Sequence, residues 1–415
     1  MRLEELKTKS ILILGFGREG RDTFLFLRKL FPNKTLGIAD REYCEIHYRN
    51  TKTYFGKDYL EATKAYDVVI KSPGIPYKIM PRETLKKIIT QTDIFFSNCP
   101  GTIIGITGTK GKSTTTSLIY RVLKEGGLKT HLIGNIGKPV LSFLFSGKPN
   151  DVYAYELSSH QLFNLEKSPH IAVFLNIYPE HLDYYRSFDE YAKAKANITL
   201  HQKENDYLIF NSQDRLVNKF SQKSKAEKIP ITGKYYELDR NAARAVGKIF
   251  RIPSRTVLKA IKEFKGLPHR LELVGMFKGI TFYNDALSTI PETAIAAIDI
   301  LGDKLETIFL GGYDRGLEFK SLAERVLKSK IRSVILFPTT GGKIWEEIEK
   351  RQRQKKIQGF FADNMKDAVK LAYRHTRKGK IAVLSCASTS FSLFHDYEEK
   401  GNLFKKYVKI YGKKT

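Results

Sequence analysis

The chain has 415 residues and 42% hydrophobic content, enough apolar material for two or three domains with cores of their own, which excludes a disordered or fibrous polypeptide. Lys and Arg number 71 against 44 Asp and Glu, a net charge of +27 that raises the question of nucleic acid; the cations are spread along the chain, with short runs only at 350–356 and 405–409, and no zinc-finger, RRM or basic-zipper signature accompanies them, so nucleic acid is not the expected partner. No secretory leader layout and no apolar run of membrane-spanning length occur, so a cytoplasmic protein without membrane insertion is expected, and Cys44, Cys99 and Cys386 lack metal-ligand spacing.

Three nucleotide-style α/β segments follow one another. The first opens with an apolar strand over 10–14, then Gly15-Phe16-Gly17-Arg18-Glu19-Gly20, a helical run through Leu25, Leu27 and Leu30, and a strand over 35–39 ending at Asp40. A GxGxxG turn with an acidic residue about twenty positions on is the layout of a dinucleotide or nucleotide-sugar site. After a strand over 68–70 comes Lys71-Ser72-Pro73-Gly74-Ile75-Pro76, read as a loop at the edge of the same sheet.

The second segment carries the strongest signal. An apolar, β-branched run over 102–106 leads into Gly108-Thr109-Lys110-Gly111-Lys112-Ser113-Thr114, and a helix follows in which Leu118, Ile119, Val122 and Leu123 share a face before Gly126-Gly127 ends it. Strand, glycine-rich turn and helix together make a phosphate-binding loop: backbone N–H groups close around phosphate oxygens, Lys112 supplies a cation, and Ser113 offers a hydroxyl to Mg²⁺. The strict Walker pattern wants a glycine where this chain has Ile106, its own glycine being Gly108. Strands are expected over 152–157, 170–176 and 206–211, and their alternation with helices predicts a mostly parallel sheet.

Ligands of such sheets collect at strand carboxyl ends. Glu156 stands there, beside the phosphate loop, well placed to hold Mg²⁺. His181, in Asn176-Ile-Tyr-Pro-Glu-His181-Leu-Asp183, follows the next strand and is either a buried structural histidine or a ligand or substrate contact. Lys193 and Lys195 lie on one expected helix over 189–200, and their chemistry alone does not separate them. The third segment follows Gly266-Leu-Pro-His-Arg270, with strands over 281–284, 307–310, 333–337 and 381–384 alternating with helices. The expected class is therefore α/β in three domains: a Rossmann-like domain over 1–98, a central P-loop ATPase-type parallel sheet over 99–266, and a Rossmann-like carboxyl-terminal domain over 267–415.

Gly108 through Thr114, Gly134-Asn135-Ile-Gly-Lys-Pro139, Glu156-Leu-Ser-Ser159, Asn176 through Asp183, Tyr191-Ala-Lys-Ala-Lys195, Leu267-Pro-His-Arg270, Asn284-Asp285 and Gly311-Gly312 together resemble the Mur ligases, ATP-dependent amide-bond-forming enzymes of peptidoglycan synthesis. The ordered set covers essentially the whole chain, and the shifted glycine is the usual form in that family. Within it, Lys71 to Gly74, Leu267 to Glu272, Gly311 to Gly316 and the ending Ser390 to Gly401 resemble the branch that joins D-glutamate to UDP-N-acetylmuramoyl-L-alanine.

The resemblance implies a reaction in which ATP phosphorylates a carboxylate and an amine then displaces phosphate. It implies two Mg²⁺ sites, with Ser113 and Glu156 at one, and with His181 and a CO₂-derived carbamate on Lys195 at the second. It further implies Asn241 and Asp285 on the nucleoside of ATP, with Arg270 near its phosphates. Gly17, Arg18, Glu19, Gly20, Asp40, Arg41, Ser72 and Gly74 would serve the uridine diphosphate end, Asn135 the muramoyl-alanine part, and Ser159 the same substrate. Thr289, Arg315, Ser390 and Tyr397 would contact the incoming amino acid, in an enzyme expected to be a monomer. This chain departs from the pattern at Leu287 and Arg315, where lysines are usual, and at Glu237-Leu238, where a His-Asn pair is usual. A Mur-like ligase for another amino acid or acceptor, and a basic nucleotide- or nucleic-acid-binding ATPase, stand as alternatives.

Overall fold

The computed structural model describes residues 1–135, 140–181, 184–352, 357–391 and 393–413. Parts of the Gly134 to Pro139 and His181 to Asp183 motifs, part of the basic run at 350–356, and position 392 of the closing motif lie outside the described residues. The chain divides into two compact units, Met1–Phe264 and Lys265–Thr415.

The first unit holds two parallel sheets. The first contains β1 (Ile11–Leu14), β2 (Leu36–Asp40), β3 (Thr51–Phe55), β4 (Val68–Lys71) and β5 (Ile88–Ile89) in the order β3-β2-β1-β4-β5. Every residue of β1 is buried, as a strand covered on both faces requires. The loop after β4, which the sequence places at the sheet edge, is not there: the two-residue β5, too short to show periodicity, takes that place. Because β1 and β4 are parallel neighbours, the loop lies beside the glycine-rich turn, and Ser72 Oγ donates to the Gly15 carbonyl at 2.9 Å. The helix Arg18–Leu30 buries Thr23, Phe24, Phe26 and Leu27, whereas Leu25 is 52% exposed.

The second sheet contains β6 (Thr102–Thr107), β7 (Thr130–Gly134), β8 (Val152–Glu156), β9 (Ile171–Phe174), β10 (Tyr207–Asn211) and β11 (Glu227–Ile231), ordered β11-β10-β9-β6-β8-β7. One apolar core joins the two sheets, running from Phe24 and Phe95 to Tyr153, Tyr155 and Phe174. The opposite face of the second sheet packs on the helices Lys112–Glu125, Tyr236–Ile249 and Ser254–Lys262, where Leu118, Ile119, Val122 and Leu123 are all buried as their spacing predicts. β11 was not legible in the sequence because it is a polar edge strand interrupted by Pro230.

The second unit has one sheet: β12 (Glu272–Phe277), β13 (Ile280–Asn284), β14 (Leu305–Gly311), β15 (Ser333–Phe337), β16 (Gln358–Phe361) and β17 (Ile381–Leu384), ordered β12-β13-β17-β14-β15-β16. All pairings are parallel except β12 with β13, a hairpin turned by Lys278 and Gly279 at φ 51° and 79°. No helix among the described residues is long and apolar enough to cross a membrane.

Candidate active site

The phosphate loop spans the four residues between β6 and the helix Lys112–Glu125. Ile106, where a glycine was missing from the strict pattern, is a fully buried strand residue, so the strand runs two residues closer to the helix and the turn is correspondingly short. Gly111 caps that helix at φ 85°, a left-handed conformation that suits glycine. A Cβ there would lie 2.9 Å from Asp239 Oδ1, which also accepts from Thr115 Oγ1 at 2.6 Å.

The loop is fastened from β9's end. Thr109 N–H donates to the Asn176 carbonyl at 2.9 Å, Lys110 N–H to Asn176 Oδ1 at 2.7 Å, and Asn176 Nδ2 back to the Lys110 carbonyl at 3.0 Å. Thr109 Oγ1 lies 2.9 Å from the Tyr191 hydroxyl. Lys110 Nζ pairs with Glu180 at 2.7 Å; burial would raise the Glu180 pKa, but the Lys110 ion pair and hydrogen bond, with Lys112 and His181 nearby, together hold the carboxyl below its ordinary value. His181 follows directly, its Nε2 3.8 Å from Glu180 Oε2, its ring 4.8 Å from that of His160, and its backbone left-handed at φ 57°.

Two lysines meet at the Gly108 carbonyl. Lys112 Nζ donates to it at 2.9 Å and Lys195 Nζ at 2.8 Å. The structure separates by burial the two lysines that residue chemistry alone left open and of which the resemblance pointed to Lys195. Lys193 is exposed and pairs with Asp189 at 2.7 Å, one turn away, whereas Lys195 is 1% exposed. Burial first, and then the Lys112 ammonium, push the Lys195 pKa well below its ordinary value, with Glu180 and Glu156 pulling weakly the other way. Glu156 ends β8, in register with Ile106 of β6, and is 3% exposed. Its Oε2 is a buried oxygen without a hydrogen-bond partner. A buried, unsatisfied carboxylate oxygen beside a phosphate loop fits a cation. No cluster of three His, Cys, Asp or Glu side chains able to hold a metal occurs among the described residues.

At the first sheet the glycines have distinct tasks. A Cβ on Gly20 would lie 1.9 Å from the Gly15 carbonyl, so this glycine permits helix-to-strand packing, while Gly17 and Gly74 are exposed with open space above them. Asp40 Oδ2 accepts from Phe16 N–H and Oδ1 from Glu42 N–H, which shapes the turn. Arg18 and Arg41 are exposed. Glu19 accepts from Gln161 of the second sheet's domain at 2.9 Å, and burial raises its pKa to about 7. Lys71 donates to the Ser72 and Ile75 carbonyls, and burial lowers its pKa to about 7. The Tyr184 hydroxyl is shared between the Pro73 and Ile75 carbonyls at 3.0 Å each, tying that loop to the segment after His181. Ser159 is buried and Asn135 exposed, the latter's N–H reaching the Glu156 carbonyl at 3.5 Å. Asn241, on the helix that carries Asp239, is partly exposed and donates to the Thr232 carbonyl at 2.8 Å.

In the second unit Asp285 accepts from Leu271 N–H at 3.1 Å and Ser385 Oγ at 2.7 Å, and burial raises its pKa to about 6. Arg270 lies near enough to oppose that rise, and its Nε is buried without a partner. The bridge between Tyr313 and Thr389 sets the segment holding Arg315 beside Ser390, whose Oγ is also buried without a partner. Arg315 is exposed, Thr289 is half-buried, and Tyr397 Oη donates to Glu398 at 3.1 Å. Sequence reasoning missed Asp239, Glu180 and Tyr191 as site residues; their only signal was position, one helix turn or a few residues from residues that were singled out.

Residues 106–280 match the model of the Mur ligase middle domain. The UDP-N-acetylmuramoylalanine--D-glutamate ligase of Acetivibrio thermocellus is 30% identical, covering 98% of this chain and 97% of its own length. Its counterpart from Clostridium acetobutylicum is 31% identical with 97% of each chain covered. Among solved structures, MurF ligase of Thermotoga maritima in complex with ADP is 16% identical at a TM-score of 0.60, covering 98% of this chain and 97% of its own. UDP-N-acetylmuramate-alanine ligase MurC of the same organism is 17% identical at 0.59, with 97% and 99% covered. Identity at this level over nearly the whole length, on an α/β framework shared with solved Mur ligases, shows that the chain belongs to the Mur ligase family, with the UDP-N-acetylmuramoylalanine--D-glutamate ligases, and is an ATP-dependent ligase of peptidoglycan synthesis.

Proposed function

We propose that this chain joins D-glutamate to UDP-N-acetylmuramoyl-L-alanine through an acyl phosphate. The supporting observation is the meeting of Lys112, Lys195 and the unsatisfied Glu156 carboxylate at the mouth of the phosphate loop. A carboxylate cannot lose oxide to an attacking amine at neutral pH; transfer of the ATP γ-phosphoryl group onto it creates a phosphate leaving group. The amine of D-glutamate then forms the C–N bond, phosphate departs with the C–O bonding pair, and the amine loses a proton.

Lys112 and the backbone from Gly108 to Gly111, with Thr109, Lys110 and Thr114 around them, hold the ATP phosphates and stabilise charge on the transferring group. Lys112 reaches phosphate by exchanging its present bonds to the Gly108 and Thr109 carbonyls for phosphate oxygens. Ser113 and Glu156 would hold one Mg²⁺, and His181 and Lys195 a second; when bound, these ions neutralise charge on the phosphates.

The buried amine of Lys195 is suited to carbamylation because only a neutral amine attacks CO₂. The nitrogen lone pair bonds to carbon, one proton leaves, and the neutral amine becomes an anionic carbamate. Asn241 and Asp285 serve the nucleoside and Arg270 the phosphates. Gly17 to Gly20, Asp40, Arg41, Ser72 and Gly74 serve the uridine diphosphate. Asn135 and Ser159 serve the muramoyl-alanine arm, and Thr289, Arg315, Ser390 and Tyr397 serve the amino acid. The test is phosphate release with UDP-N-acetylmuramoyl-L-alanine and ATP against a panel of amino acids. Release with D-glutamate alone is expected, and equal release with another amino acid would overturn the assignment.

A further inference from the structure

One cavity of the second unit, about 550 Å³, takes no part in the chemistry above. It is lined by Lys278, Lys370, Arg374 and Lys378, with Tyr373 and Tyr411 among its walls. It opens at the amino ends of β13 and β17, since Lys278 precedes β13 and Lys378 precedes β17. Asp285 and Ser390 follow the carboxyl ends of the same strands, so the length of a five-residue strand, about 15 Å, separates the two ends. The cavity therefore lies outside the site of ligand chemistry that parallel sheets place at their carboxyl ends.

Its electrostatics are one-sided. Lys370 pairs with Asp367 at 2.8 Å, but Lys278, Arg374 and Lys378 have no carboxylate within ion-pair distance among the described residues. The hairpin turn at Lys278 and Gly279 fixes the backbone from which Lys278 projects, and the Lys378 side chain packs over Gly279, 3.1 Å from where a Cβ would stand. Tyr373 is anchored by its hydroxyl on the Val408 carbonyl at 2.7 Å, and Tyr411 stacks with Tyr407 at 6.3 Å and 20°. Fixed aromatic walls within a rim of four cations and a volume in the ordinary range of small-ligand sites suit a compact polyanion with an optional flat ring.

We propose that this cavity is a second anion site that binds a polyphosphate-bearing ligand of nucleotide size, separate from the catalytic nucleotide site. A Tyr411→Trp variant of the full chain places a local fluorescent reporter in the cavity wall, so binding at the catalytic loop does not generate the signal. The chain's own Trp345 lies on the helix Thr340–Glu349 and provides a constant background. ADP and inorganic tripolyphosphate are titrated separately, and a thymidine oligonucleotide in parallel. A saturable change with ADP or tripolyphosphate below about 1 mM is expected. The Lys278→Glu/Lys378→Glu pair should weaken it at least about tenfold, and the milder Lys278→Gln/Lys378→Gln pair by a smaller factor. Ligase turnover should stay within about twofold in both, because these exposed side chains lie outside the catalytic machinery. No saturable change, binding unaltered by charge reversal, or a response to the oligonucleotide alone would each overturn the proposal.

Discussion

Replacing Lys195 tests the proposed chemistry most directly. The side chain is 1% exposed and its amine makes one hydrogen bond, to the Gly108 carbonyl, which Lys112 Nζ also supplies. In Lys195→Met the stem volume is nearly kept and that carbonyl remains bonded, so the stability change should stay below about 1.5 kcal/mol. In Lys195→Ala about three methylenes are lost, costing about 2–3 kcal/mol, which for a unit of this size lowers Tm by less than about 12 °C. Catalysis should respond far more strongly. Loss of one preorganised group that stabilises transition-state charge costs about 10²–10³ in kcat, and both variants should show it in ADP formation coupled to amide synthesis. Only Lys195→Ala leaves room for a surrogate, so acetate or formate should restore part of its rate and none of the rate of Lys195→Met. Depleting CO₂ from the wild-type buffer should lower activity, and bicarbonate should return it. A Lys195→Met enzyme with wild-type turnover, or a rate indifferent to CO₂ together with no rescue of Lys195→Ala, would refute the carbamate.

Glu156→Gln keeps the shape of the orphaned carboxylate but removes its charge; turnover should fall about 10²-fold and the Mg²⁺ needed for half-maximal rate should rise, and an unchanged Mg²⁺ titration would count against the cation role. Gly111→Ala forces a Cβ into a left-handed turn and against Asp239, which should cost about 1–2 kcal/mol by denaturant melts and weaken ATP binding measured by calorimetry. Asp285→Asn should uncouple stability from function. Its raised carboxyl means the folded state holds the proton more tightly, so wild-type stability falls as pH rises from about 4 through about 6, by about 3 kcal/mol at most. The amide should raise Tm at pH 7 and not at pH 4, while ATP turnover drops; an equal Tm change at both pH values would contradict the sign. Ser390→Ala removes a buried hydroxyl without a protein partner, so stability should hold while KM for D-glutamate rises about tenfold and KM for ATP does not.

The architecture was legible wherever burial on both faces wrote an apolar run into the chain. β1, β6, β15 and β17 follow from such runs, and the helix after the phosphate loop from its 3.6-residue period. β11 is too polar to carry a period, and β5 is too short to carry one, so the sequence shows no strand beyond β4 and the Lys71 loop reads as an edge loop although β5 holds that edge. The close approach of Gly20 to the Gly15 carbonyl is a contact that one-dimensional spacing does not encode.

Sequence by itself determined the strand, glycine turn and helix that carry Lys112 and Ser113, the acidic residue at the end of β8, and the family to which the ordered motifs belong. Those are properties of short segments and of their order. Residue chemistry left Lys193 and Lys195 open and only the resemblance favoured Lys195; the tertiary structure supplies the physical difference, Lys195 buried against the loop and Lys193 exposed. Two residues along a helix turn a side chain by about 200°, from solvent to interior, but which direction is interior depends on where the sheet lies. The same holds for Asp239 beneath Gly111, 128 positions on, which meets the loop because the helix Tyr236–Ile249 packs on the helix Lys112–Glu125, and for Glu180 on Lys110, 70 positions on, which meets it once β6 and β9 lie side by side.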